Sequence, residues 1–186
     1  MRIGFIGVGN MGGPIAAHLI SAGHDLSIFD LNEDAMGPLV ELGAKPVSSA
    51  AATAENSEAV FLSLPMPRDV EEVVSGADGL FSVMDAGQTV IDLSTSSPTL
   101  SRSLAVEGQE RGIDFLDAPV SGGTLGAENG SLAIMVGGDQ NIFDKSTDVL
   151  KVLGNPTLVG GLGSGQVSKL ANQIIVGVSI GAVAEA

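Results

Sequence analysis

Lys169 is one of only 8 lysines and arginines in a chain of 186 residues, and it stands in a C-terminal segment made mostly of Val, Leu, Ile, Ala and Gly. An amine on such a background suits proton transfer, as a general acid or base at a reacting oxygen. Asn172 and Gln173 follow at three and four positions. On a helix these spacings bring both amides to the lysine's face, where they can orient a substrate or the ammonium group. An ordinary lysine titrates near ~10.4, too high to exchange protons efficiently at neutral pH, so the assignment requires burial that lowers it. The plain alternative is a solvated helix lysine. A P-loop is excluded, since no Gly-Lys-Ser or Gly-Lys-Thr occurs.

A second pattern sits at the other end of the chain. Gly7-Val8-Gly9-Asn10-Met11-Gly12 directly follows the apolar run Ile3–Ile6 and precedes a helical pattern. A lone GxGxxG in a chain with 26 glycines could be a simple turn, but between a strand and a helix each glycine has a separate task. Gly7 permits the turn, Gly9 lets backbone N–H groups approach a pyrophosphate, and Gly12 allows close helix–strand packing with the helix N-terminus facing the anion. Asp30 ends the next strand eighteen positions after Gly12, where a carboxylate accepts from the adenosine ribose hydroxyls. Leu31 and Asn32 offer no positive charge for a 2′-phosphate. The pattern therefore predicts NAD, preferred over NADP.

Charge and composition narrow the partners. A net charge of −14, from 22 acidic against 8 basic residues, argues against wrapping nucleic acid or an anionic membrane. With no cysteine and only two isolated histidines, His18 and His24, no metal is expected. The apolar run Ile174–Ala184 is shorter than the ~20 residues that span a bilayer, and no signal-peptide pattern precedes the first strand, so a soluble cytoplasmic protein is expected.

The elements that must position these residues follow from periodicity. The pattern predicts strands over Arg2–Ile6, Asp25–Phe29, Ala59–Leu64, Thr89–Leu93, Phe115–Asp117, Leu132–Val136 and Thr157–Val159, with a weak one near Pro46. Helices are predicted over Met11–Ser21, Glu33–Leu42, Ala50–Asn56, Arg68–Val74, Pro98–Arg111 and Asn141–Val152, and the stretch before Leu132 reads as a Gly-rich loop. Alternating units of this kind predict an α/β fold: a Rossmann-type, doubly wound, mostly parallel sheet over residues 1–163, followed by one long helix over 164–186. That helix is apolar nearly all round, which predicts that it is buried, either by chain beyond Ala186 or by a second subunit in a homo-oligomer.

Five strings in order, GFIGVGNMGGPIAAHL, Leu64-Pro65, IDLSTSSP, DAPVSGGTLGAENGSLAIMVGGD and GSGQVSKLANQ, resemble the β-hydroxyacid dehydrogenases over essentially the whole chain. Members of that family act on short acids such as 3-hydroxyisobutyrate or tartronate semialdehyde, or are the larger 6-phosphogluconate dehydrogenases. The resemblance implies that Ser121, Gly122 and Gly123 bind the substrate, and a hydroxyl beside free backbone N–H groups can cradle a carboxylate. It implies Lys169 as the acid–base residue, Asn172 and Gln173 at the substrate, and nicotinamide near Leu64, Pro65 and Thr95, at the carboxyl ends of the strands. Ser121 is not within a GxSxG elbow and no histidine follows it, which removes a hydrolase reading. Gln173 stands where many members carry Asn, and His18 where Asn is common. The family also has a C-terminal helical domain entered through the long helix. The expected function is interconversion of a short 3-hydroxy acid and its semialdehyde. A non-catalytic NAD-binding assembly module and a 6-phosphogluconate-type dehydrogenase are the alternatives.

Overall fold

The structure is a computed structural model that describes residues 1–186. Its strands are β1 (Arg2–Ile6), β2 (Asp25–Phe29), β3 (Lys45–Pro46), β4 (Ala59–Leu62), β5 (Thr89–Asp92), β6 (Asp114–Asp117), β7 (Val120–Ser121), β8 (Leu132–Gly137) and β9 (Gly154–Gly160). Its helices are α1 (Gly12–Ser21), α2 (Glu33–Glu41), α3 (Pro67–Ser75), α4 (Pro98–Glu110), α5 (Gly123–Glu128), α6 (Gln140–Lys151) and α7 (Ser164–Glu185).

All strands join one sheet in the order β3-β2-β1-β4-β5-β6-β8-β7, with β9 paired to β8. The run from β3 to β6 is parallel, and the sheet then mixes, since β8 is antiparallel to β6 and β7 but parallel to β9. Alternation along the strands splits the core in two. Ile3, Phe5, Phe61, Ile91 and Leu116 pack under α1, α2, α5 and α6, whereas Val60, Leu62, Val90 and Phe115 pack under α3 and α4. Phe5 and Phe61 stack across neighbouring strands with ring centroids 6.1 Å apart. Near-continuous apolar strands are what a sheet covered on both faces requires.

Several local expectations change. Ala50–Asn56 forms only a 3₁₀ turn over Ala51–Ala54, because the Thr53 hydroxyl bonds back to the Ala50 carbonyl and Asn56 turns left-handed at φ 59°. A further 3₁₀ turn spans Leu80–Ser82. The Gly-rich loop holds β7 and the six-residue α5, and β9 runs longer than expected. Within residues 1–186 the last helix is buried over its first turns only. Gln166 and Lys169 are buried, yet Ile174 and Val178 are each 68% exposed. By length and composition α7 could cross a membrane. Its first turns, however, are packed into the domain.

The start of α7 is fixed by Asp117 at the end of β6. One carboxylate oxygen accepts from the Gly163 N–H at 2.7 Å and the other from the Gln166 N–H at 2.9 Å. These are donors that a helix N-terminus otherwise leaves unpaired. Asp117→Ala is therefore expected to lower stability by ~1–3 kcal/mol at neutral pH and to speed hydrogen exchange at Gly163 and Gln166. Unchanged exchange at both amides would show that α7 is held by other contacts.

Candidate active site

A cleft of about 770 Å³ opens at the carboxyl ends of β1, β2 and β4, where the strand order reverses direction. Gly7, Gly9, Asn10, Met11 and Gly12 line it from the β1–α1 turn, Asp30 and Leu31 from the end of β2, and Leu64 and Pro65 from the end of β4. Gly7 adopts φ +86°, and a Cβ there would strike the Ser63 carbonyl. A Cβ on Gly12 would strike the Gly7 carbonyl, which is the close helix–strand packing expected of that position. Gly9 faces open space, so backbone there is free to meet a ligand. No side chain caps α1, and its N-terminus meets the cleft at Gly12; Gly13 already donates to the Gly9 carbonyl at 2.8 Å and Pro14 has no N–H. These features fit a dinucleotide.

Asp30 is fastened before any ligand arrives. Its carboxylate accepts from the Val8 N–H at 2.7 Å and the Asn32 N–H at 2.8 Å, one bond on each oxygen, which leaves lone pairs for ribose hydroxyls. Val8 itself is buried outside the cleft lining, with its N–H spent on Asp30, so it shapes the turn from behind. The cleft is also lined by Asp69, Glu72 and Asp78 and by no lysine or arginine. Arg68 lies beside it, paired with Asp69 at 3.5 Å and largely exposed.

The chemical residues form a second group around α7, outside that cleft. Lys169 is 7% exposed, and burial pushes its ammonium below the ordinary lysine range. Its Nζ donates to Gln173 Oε1 at 2.9 Å and has no carboxylate partner. Ser121 Oγ donates to Asn172 Oδ1 at 3.2 Å, so the β7 end and the lysine's helix face meet. Gly122 and Gly123 follow at φ 141° and 62°, both exposed at the uncapped start of α5. Thr95 is exposed on the β5–α4 loop and does not line the cofactor cleft.

Residues that the spacing patterns left unmarked connect the two groups. Gln166, fully buried, accepts from the Ser96 N–H at 2.8 Å and donates to the Ser94 carbonyl at 2.9 Å. Ser94 Oγ accepts from the Leu64 N–H at 2.9 Å, and the Ser94 N–H donates to Asp92. The only sequence signals were a glutamine on an apolar helix and acids closing apolar strands. Burial is the main reason the Asp92 carboxyl is pushed up to about 7; two bonds from Ser94 oppose the shift and nearby Asp117 adds to it. Burial likewise raises Asp117, against the backbone donors that hold it.

Sheet order, glycine turn and terminal acid together define a doubly wound dinucleotide-binding domain. Residues 2–163 match the family described as the NAD binding domain of 6-phosphogluconate dehydrogenase. The 2-hydroxy-3-oxopropionate reductase of Escherichia coli is 45% identical over 100% of this chain and 64% of its own length. The 3-hydroxyisobutyrate dehydrogenase of Pseudomonas aeruginosa is 41% identical over 99% and 62%. A solved 3-hydroxyisobutyrate dehydrogenase of Mycobacterium tuberculosis, with L-serine, superposes at TM-score 0.92 with 33% identity, covering 98% of this chain and 62% of that one. The chain belongs to the β-hydroxyacid dehydrogenase family and carries its nicotinamide-cofactor domain. It spans a little under two thirds of the length of these relatives.

The Asp92 shift has a consequence for stability. A carboxyl whose folded value of about 7 exceeds its ordinary 3.8 contributes stability that is full below pH ~4 and lost as pH rises through 7. The difference is on the order of 4 kcal/mol. Asp92→Asn is expected to flatten much of the fall in denaturant-unfolding stability between pH 5 and pH 8. An Asn variant with the wild-type slope would mean that Asp92 ionises in the folded state as freely as in the unfolded one.

Proposed function

We propose that the full-length protein is a nicotinamide-dependent oxidoreductase interconverting a short 3-hydroxy acid and its semialdehyde, with NAD preferred. The observation that carries this is Lys169, buried without a counter-ion on the same helix face as Asn172, which meets Ser121. The turn Gly7–Gly12 and the N-terminus of α1 would hold the pyrophosphate, Asp30 the adenosine ribose, and Leu64, Pro65 and Thr95 the nicotinamide side. The bound nicotinamide supplies or takes the hydride. Ser121, Gly122 and Gly123 bind the substrate carboxylate through a hydroxyl and backbone N–H groups. Lys169 donates a proton to the substrate oxygen in the reductive direction and removes it in the oxidative one. Its lowered affinity for that proton makes the exchange efficient nearer neutral pH. Gln173, already bonded to Nζ, and Asn172 orient the ammonium and the substrate.

The names of the relatives, 2-hydroxy-3-oxopropionate reductase and 3-hydroxyisobutyrate dehydrogenase, support a three- or four-carbon acid as substrate. Residues 1–163 then form the cofactor domain and 164–186 a helix leading to the rest of the protein. The bare apolar face of α7 suits a further domain or a second subunit of a homo-oligomer, in the cytoplasm.

Lys169→Ala in the full-length protein is expected to lower kcat by ~10²–10⁴ with these substrates while cofactor still binds. Wild-type turnover in this variant would remove the acid–base assignment. For the cofactor, two like charges ~4 Å apart at an effective dielectric near 20 repel by about 4 kcal/mol before solvent screening. Asp30, with Asp69, Glu72 and Asp78 along the cleft, is therefore expected to give at least a tenfold higher kcat/KM with NADH than with NADPH. Parity would mean that Arg68 leaves Asp69 and reaches the 2′-phosphate.

A further inference from the structure

We propose that Gln166 is a positioning residue that sets the β5–α4 loop against the helix turn bearing Lys169, so that the nicotinamide side and the proton donor keep a fixed separation. The proposal rests on the reading of Lys169 given above. Gln166 stands one turn before Lys169, on the same face of α7. Its side-chain oxygen takes the Ser96 N–H and its side-chain nitrogen gives to the Ser94 carbonyl, so one amide grips the loop on both sides of Thr95. The grip extends in both directions. Ser94 Oγ receives the Leu64 N–H from the cofactor cleft, and the Gln166 backbone N–H is held by Asp117 on β6. The loop after β4, the loop after β5 and the start of α7 are thus joined through two buried side chains, Ser94 and Gln166, with Gln166 holding the loop after β5 to the helix.

A neutral amide is what this position needs, because it is donor and acceptor at once and adds no charge beside Asp117 and Asp92. An apolar side chain of similar size leaves the Ser94 carbonyl and the Ser96 N–H unpaired. A carboxylic acid reproduces both bonds only while it carries its proton. Burial and the Asp117 carboxylate at the Gln166 backbone N–H favour that protonated form, and Asp92 behind Ser94 adds to this once it ionises above about pH 7.

The test uses Gln166→Met and Gln166→Glu in the full-length enzyme. Gln166→Met is expected to exchange the Ser96 amide hydrogen at least tenfold faster and to lose at least tenfold in kcat. Its Kd for NADH should move less than threefold, since the Gly7–Gly12 turn and Asp30 are untouched. Gln166→Glu is expected to reach within threefold of wild-type kcat at pH 6 and to fall tenfold or more below it at pH 8.5. Wild-type kcat in the Met variant would overturn the proposal, as would equal losses of kcat and cofactor affinity, or a Glu variant that follows the wild-type pH profile. Unchanged Ser96 exchange would overturn the grip itself. Lys169→Ala, run in parallel, separates the two ideas: wild-type turnover there overturns the lysine reading and the predicted effect on kcat, while Ser96 exchange still decides whether the loop is held.

Discussion

The carboxylate of Asp117, set at the start of α7, is the contact on which the placement of Lys169 and its neighbours depends. A helix that enters a domain brings unpaired N–H groups with it, and burying them without acceptors would be costly. Asp117 meets two of them at 2.7 and 2.9 Å. The helix in return offers its positive end to the carboxylate, which partly opposes the rise that burial imposes on Asp117. The arrangement is tight enough to dictate its neighbours. A Cβ on Gly137 or on Gly165 would crowd the Asp117 carboxylate, so both positions are occupied by the one residue that leaves room.

From that anchor the chemistry follows. Six residues beyond Gly163, Lys169 is carried into the domain rather than along its surface, and it arrives without an acid to neutralise it. An ammonium desolvated in this way gives up its proton more readily, and a bound carboxylate would hold that proton more firmly by adding the missing negative charge. The cofactor half is built on the opposite principle. There the glycines exclude side chains so that backbone can come close, and Asp30 is tied by two backbone N–H groups with lone pairs to spare. Gln166 and Ser94 join the two halves through hydrogen bonds between groups 70, 72 and 30 residues apart in the chain.

The parallel strands β1, β2, β4 and β5 were legible because a sheet covered on both faces demands unbroken apolar runs, and Asp30 was legible because its distance from Gly12 is set by the strand–helix–strand repeat. Lys169 stood out by contrast with its apolar neighbours. Gln166, Asp92 and Ser94 did not, since their meaning lies in partners that only the folded sheet brings near, and nothing local distinguishes a buried glutamine from a solvated one. The short α5 was hidden by glycines that favour loops in isolation. The apolar composition of α7 calls for a cover, and within residues 1–186 no element packs against the helix past Asn172.

The claim at the centre of this account is that the docking of α7 desolvates Lys169 and leaves it waiting for an anionic ligand. Titrating the Lys169 side chain by ¹³C NMR in the full-length protein, first alone and then with a short hydroxy acid and cofactor bound, tests it most directly. The account predicts a midpoint below the ordinary ~10.4 of lysine in the free protein and a rise when the carboxylate binds. An ordinary midpoint that the ligand leaves unmoved would contradict it.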